Sequence, residues 1–296
     1  LNGSMQVAST EEEEEMGNPL WRAYDEKALN EQLNLRARTP EHPQIFERWE
    51  RDSQEVRASI PHRFDVAYGE APGEKLDFFP AKDKQAPLLV FIHGGYWQGL
   101  DKAHYSYFAP SFVQQGIAFV SMNYSLAPQA RIGTMVEQIR RGLHWLYAKA
   151  AELGFDRERV VVSGHSAGGH LATMAAVTDW SAFDLPQDWL AGCCSLSGVY
   201  QLEPIRHSYH QPILQLTEEE VATLSPHLLK PRGAIPTILA VGALEPEEFR
   251  EQQRELAAAW GLHNPVKALE VPERHHFNVV DALIEDDQPL RQALLS

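Results

Sequence analysis

Residues 160–176 constrain the fold more than any other part of this chain. The apolar run 160–163 leads directly into Gly164-His165-Ser166-Ala167-Gly168, and a helical pattern follows from 169 to 176. A serine on so sharp a strand-to-helix turn needs small neighbours, because its backbone is strained and the chain passes close to itself. Gly164, Ala167 and Gly168 supply them. The helix that begins near Ser166 offers free backbone N–H groups and the positive end of its dipole to an anionic oxygen. Ser166 is therefore a candidate nucleophile, and the Ala167 N–H a candidate oxyanion donor.

Other segments place this turn in a larger frame. Residues 87–92, 117–122, 190–196 and 237–241 are apolar runs with the length of strands buried on both faces, and helical patterns separate them. Such alternation predicts the α/β class, with a mostly parallel central sheet flanked by helices. Residues 20–59 read as one or two N-terminal helices, and 64–68 with 75–79 as a hairpin around Gly-Glu-Ala-Pro-Gly. From about 200 to 233 the alternation breaks around Pro204, Pro212, Pro226 and Pro231, which suggests a small cap insertion within a single domain spanning 17–296. Residues 1–16 show no apolar periodicity and carry the acidic run Glu11–Glu15; they are expected to be a disordered tag or leader.

Further candidates for chemistry lie at the ends of the predicted strands, where ligands bind in open α/β sheets. His93-Gly94-Gly95-Tyr96-Trp97 follows the run 87–92, and its glycines allow backbone N–H groups to approach a reacting carbonyl. The acid and histidine that serve a serine on such a turn come later in the chain. Glu245 follows the run 237–241 after a short turn, although Glu247 and Glu248 crowd the same region and a first-turn helix acid is the plainer reading. His275 and His276 both follow the strand-like run 267–271, and both remain candidates for the base. His93, His165 and His170 read as structural, since no histidines stand at metal-ligand spacing with a third partner; no metal or cofactor is expected.

Charge narrows the partners. Twenty-six Lys+Arg against 41 Asp+Glu give a net charge of −15, and the chain outside the acidic run is still strongly negative. Such a surface repels phosphate backbones and anionic lipid heads, so no nucleic-acid or membrane partner is expected. No apolar run approaches the ~20 residues that span a bilayer. Cys193 and Cys194 are adjacent in an apolar segment, which suits neither an ordinary disulfide nor a metal cage. A cytoplasmic protein is expected. An exposed C-terminal helix face could support a homodimer, although no heptad pattern demands one.

His93-Gly94-Gly95-Tyr96-Trp97, Gly164-His165-Ser166-Ala167-Gly168-Gly169-His170 and His276-Phe277 together resemble the kynurenine formamidase (arylformamidase) branch of the α/β-hydrolases, which borders the hormone-sensitive-lipase-like esterases. The resemblance spans roughly residues 65–281. It implies an α/β-hydrolase fold, Ser166 as nucleophile, Gly94, Gly95 and Ala167 as oxyanion donors, and His276 as base. The family's acid is typically an aspartate four positions before a phenylalanine; here Phe249 aligns that position with Glu245, a departure that a longer carboxylate can accommodate. The neighbouring esterases often have their histidine before Gly-Phe, which would favour His275. The implied activity is hydrolysis of a small aryl formamide or ester through an acyl-enzyme, with Tyr96 and Trp97 lining a pocket for an aromatic group. A carboxylesterase for short-chain or aromatic esters is the alternative. A non-catalytic binding protein has no physical need for serine, histidine and glycine turn together.

Overall fold

The computed structural model describes residues 18–295, so the expected leader at 1–16 lies outside the described residues. Eight strands form one sheet: β1 (Arg63–Ala67), β2 (Lys75–Phe79), β3 (Leu88–Ile92), β4 (Ala118–Met122), β5 (Val160–His165), β6 (Leu190–Leu196), β7 (Thr237–Gly242) and β8 (Val266–Val271). Their order across the sheet is β1-β2-β4-β3-β5-β6-β7-β8. β1 pairs with β2, and β2 with β4, in antiparallel fashion, while β3 to β8 run parallel to one another. In β3 and β4 every residue is buried, which is why they read as unbroken apolar runs; edge strand β8 instead exposes Lys267, Ala268 and Glu270. The structure gives the α/β-hydrolase arrangement expected from the sequence.

Helices cover the sheet. Between β4 and β5, helix Ile132–Leu153 turns a buried stripe including Met135, Ile139, Leu143 and Leu146 toward it, and ends where Gly154 adopts a left-handed φ of 80°. Between β5 and β6, all ten residues of helix Ala167–Ala176 are buried. Its small side chains, Ala167, Gly168, Gly169 and Ala172, allow close approach to the strands. Helix Glu247–Gly261 lies between β7 and β8.

The N-terminal region contains three helices where one or two were expected: Glu26–Leu33, Leu35–Arg38 and His42–Ser59. Asn34 interrupts the first pattern and caps the second helix, its Oδ1 accepting the Ala37 N–H at 3.2 Å. The third helix buries Trp49 beside Phe46 and Tyr105, with ring centroids 5.0 and 5.3 Å apart. Residues 200–233 form short helical pieces, Glu203–Arg206, Gln211–Leu214 and Glu218–Leu224, between β6 and β7. They meet the N-terminal helices where the Tyr209 N–H donates to Asn30 Oδ1 at 3.0 Å and its hydroxyl to the Leu33 carbonyl at 3.3 Å. Cys193 and Cys194 are buried free thiols on β6. Among the described residues no helix is long and apolar enough to cross a membrane.

Candidate active site

Strand ends bring the candidate residues together. Ser166 follows β5 with φ 57° and ψ −120°, a conformation that costs a non-glycine residue energy and persists only where its surroundings enforce it. One enforcement is the Ser166 N–H, which donates to the Leu196 carbonyl at the end of β6 at 2.8 Å. Another is Gly168, where a Cβ would come within 2.0 Å of the Ile92 carbonyl oxygen; only glycine lets the helix start this close to the end of β3. Ala167 is the first residue of the helix, so its N–H has no intrahelical acceptor.

The turn after β3 lies against Ser166. A Cβ on Gly94 would stand 3.0 Å from Ser166 Cβ and 2.8 Å from the His165 carbonyl oxygen, so a side chain there would collide with the serine turn. The Tyr124 hydroxyl secures this turn by donating to the His93 carbonyl at 3.0 Å, and the His93 ring stacks on Tyr124 with centroids 4.5 Å apart.

Glu245 and His276 form a buried pair, with Nδ1 2.7 Å from Oε2. Oε1 of the same carboxylate accepts the Gly242 N–H at 2.8 Å and the Ser197 hydroxyl. Glu245 sits in the turn after β7, ahead of helix Glu247–Gly261, and so is not the first-turn helix acid of the plainer reading. Glu247 pairs with Arg250 and Arg254, and Glu248 accepts from Trp21, Arg22 and Gln252. His275 lies 3.7 Å from Glu41, while His276 lines the same cavity as Ser166.

That cavity has a volume of about 420 Å³. Gly95, Tyr96, His165, Ser166, His276, Phe46, Trp49, Tyr209 and His210 are among the residues that line it. Tyr96 lines it, with its hydroxyl donating to the Leu33 carbonyl at 2.8 Å. Trp97 does not, which corrects the expectation for the aromatic pair: it is wholly buried, edge-on to His170 at 5.2 Å between centroids, and lies in the core. Both residues have left-handed backbones, φ 48° and 57°, and a strand-like extrapolation through the turn therefore fails.

The histidines around the site are neutral spacers. Burial pushes the His165 imidazole well below its ordinary pKa, and its Nε2 lies 2.8 Å from the His276 carbonyl, tying the serine turn to the histidine loop. Burial also lowers His170 and His210 to about 4, with the nearby Arg36 charge adding to the shift at His210. Sequence reasoning missed Ser197, His210, Asn34, Phe46 and Trp49. Serine after a buried strand was the one available signal for Ser197; helical spacing cannot say which body a buried face meets. Among the described residues no group of three or more His, Cys, Asp or Glu side chains could hold a metal ion.

Comparison with known proteins agrees with this fold. The family model BD-FAE matches residues 76–190. A kynurenine formamidase of Salmo salar is 34% identical over 82% of this chain and 84% of its own length. A solved structure from Silicibacter sp. TM1040, described as a candidate thioesterase, is 26% identical and superposes with a TM-score of 0.80 over 90% of this chain and 99% of its own. Esterase B of Lactobacillus rhamnosis, at 18% identity, shares the fold with a TM-score of 0.66 over 86% of this chain and 94% of that one.

Proposed function

Given that this chain belongs to the kynurenine formamidase family and is a hydrolase, we propose that it cleaves a small aryl formamide or ester through a covalent acyl-enzyme on Ser166. The observation that carries this reading is the Glu245–His276 pair at 2.7 Å, facing the same cavity as a serine held at φ 57°.

In this mechanism His276 takes the Ser166 proton as Oγ attacks the carbonyl carbon. Glu245 holds the imidazole in the tautomer that leaves Nε2 to act as base, and stabilises the imidazolium that forms. Two donors to Oε1, from Gly242 and Ser197, hold that carboxylate in place. The N–H groups of Gly94, Gly95 and Ala167 receive the oxyanion. The C–N or C–O bond then breaks as His276 returns the proton to the leaving amine or alcohol. Water, deprotonated by the same imidazole, attacks the acyl-enzyme, and the released serine oxygen recovers its proton.

Tyr96, Phe46 and Trp49 on the cavity wall support an aromatic leaving group. Residues 200–233 act as a small cap within a single domain and contribute Tyr209 and His210 to the cavity wall. Buried free thiols at Cys193 and Cys194 fit a reducing, cytoplasmic setting. The test is kcat/KM for N-formylkynurenine against p-nitrophenyl acetate and butyrate, with Ser166→Ala as the blank. A large preference for the formamide establishes a formamidase, and preference for the esters establishes a carboxylesterase. Undiminished turnover by Ser166→Ala overturns the mechanism.

A further inference from the structure

The mechanism uses Glu245 and leaves the next buried acid, Glu248, without a task. Glu248 is wholly buried in the first turn of helix Glu247–Gly261, three residues after Glu245 and one before Phe249. Glu245 bonds His276 Nδ1, and the Phe249 ring stands edge-on to the His276 imidazole with centroids 5.0 Å apart. Residues on both sides of Glu248 in the chain therefore touch the histidine that serves Ser166.

A distant part of the chain meets the Glu248 carboxylate. Residues 20–24 form a tight turn, the Tyr24 N–H donating to the Trp21 carbonyl at 2.8 Å, with Arg22 at a left-handed φ of 50°. From this turn Trp21 Nε1 donates to Glu248 Oε1 and Arg22 Nε to Oε2, each at 3.0 Å. Arg22 is itself oriented by both oxygens of Glu255, at 2.6 and 2.7 Å. Among the described residues it is the only cation paired with Glu248. Burial raises the Glu248 pKa, and the Arg22 charge is among the causes that oppose the rise. Glu248 Oε1 also accepts Gln252 Nε2 at 2.8 Å, and Gln252 Oε1 takes the N–H groups of Tyr200 and Gln201 at 2.7 and 3.0 Å. Four residues before Gln201 is Ser197, a donor to Glu245 Oε1. Two routes thus join Glu248 to Glu245, one along the chain and one through Gln252 and the loop after β6.

We propose that Arg22 and Glu248 are positioning residues for the Glu245–His276 pair: Arg22 neutralises the buried Glu248 and so fixes the helix start that carries Glu245 and Phe249. A buried carboxylate stripped of its cation must draw in water or a proton, and the helix start would shift to let it. A displacement of about an ångström at Glu245 is enough to slow turnover. The inference rests on the reading of Glu245 as the acid that serves His276.

Its test measures kcat, KM and Tm, with N-formylkynurenine or p-nitrophenyl acetate as substrate, whichever the wild type turns over faster. Arg22→Gln should lower kcat about tenfold with KM within about twofold, at a temperature well below its melting transition. Removing the charge that Arg22 balances should restore the alignment, so Arg22→Gln with Glu248→Gln should return kcat to within about threefold of wild type. Arg22→Lys should keep more turnover than Arg22→Gln. If Arg22→Gln does not fold, Trp21→Phe, which removes one donor and leaves the ion pair, should lower kcat about two- to fourfold; wild-type kcat there overturns the proposal. A lowered Tm with wild-type kcat in folded Arg22→Gln reduces the pair to a structural tie and overturns the positioning role, as does a loss of kcat that Glu248→Gln fails to relieve. Glu245→Gln, assayed alongside, separates the two readings. If it is crippled while Arg22→Gln has wild-type kcat, the positioning role fails and the acid stands. If Glu245→Gln turns over at the wild-type rate, the acid assignment fails and the positioning role with it.

Discussion

The two sides of the cavity are built differently. On one side Ser166, Gly95 and His276 stand at strand ends or in the loop after β8, and backbone groups fix their surroundings: Ser166 N–H on Leu196, Gly242 N–H on Glu245, the His276 carbonyl beside His165. The opposite side comes from the helices Leu35–Arg38 and His42–Ser59 and from Tyr209, His210 and Ile213, joined largely through side chains. Tyr209 and Ile213 are 45% and 44% exposed, whereas Ser166 and His276 are 2% and 3% exposed. In the proposed mechanism precision belongs to the sheet side and substrate choice to the helical side, a division in keeping with the lower local stability of exposed, sparsely bonded segments.

Three experiments press on that division. The largest effect is expected at Glu245→Gln, which keeps the shape but presents an amide to His276 Nδ1 and so favours the wrong tautomer. It should lower kcat by roughly 10³-fold or more and leave KM within a few-fold. A loss of less than about tenfold would mean that the sheet side is not organised around this pair.

Next comes the contact between the helix after Ser166 and the 200–233 segment, where His170 Nε2 on the buried helix Ala167–Ala176 lies 2.7 Å from the Leu224 carbonyl. Burial lowers this imidazole to about 4, below the ordinary 6.5. Between those values the unfolded chain binds the extra proton, so stability falls as pH falls, by about 3 kcal/mol from this group between pH 7 and 4. Urea unfolding across that range should show the loss, and His170→Leu should flatten it. An unchanged slope in the variant would place the destabilising protonation elsewhere.

The smallest effect is expected from Tyr209→Ala on the helical side: KM raised about three- to tenfold with kcat within about twofold. A matching fall in kcat would erase the distinction between the two sides.

Legibility in the sequence follows the same line. Buried parallel strands must be apolar throughout, so β3 to β7 announced themselves as runs, and Gly164 to Gly168 marked the turn because close packing excludes larger residues. Glu245 was readable by its place after β7, and His276 by resemblance; what singles it out from His275 in the fold is its contact with Glu245, a matter of a few ångströms between adjacent residues. Helical spacing put Phe46 and Trp49 within a predicted helix and stayed silent on what they face. Tyr96 and Trp97 looked equivalent because their separation depends on two consecutive left-handed residues that no local pattern foretells.

Intact mass spectrometry of the enzyme after reaction with a p-nitrophenyl alkylphosphonate tests the central claim most directly. The account predicts one adduct per chain, located on the peptide containing Ser166, with activity lost in proportion and no adduct on Ser166→Ala. Labelling at another residue, or full activity in protein labelled at Ser166, would contradict it.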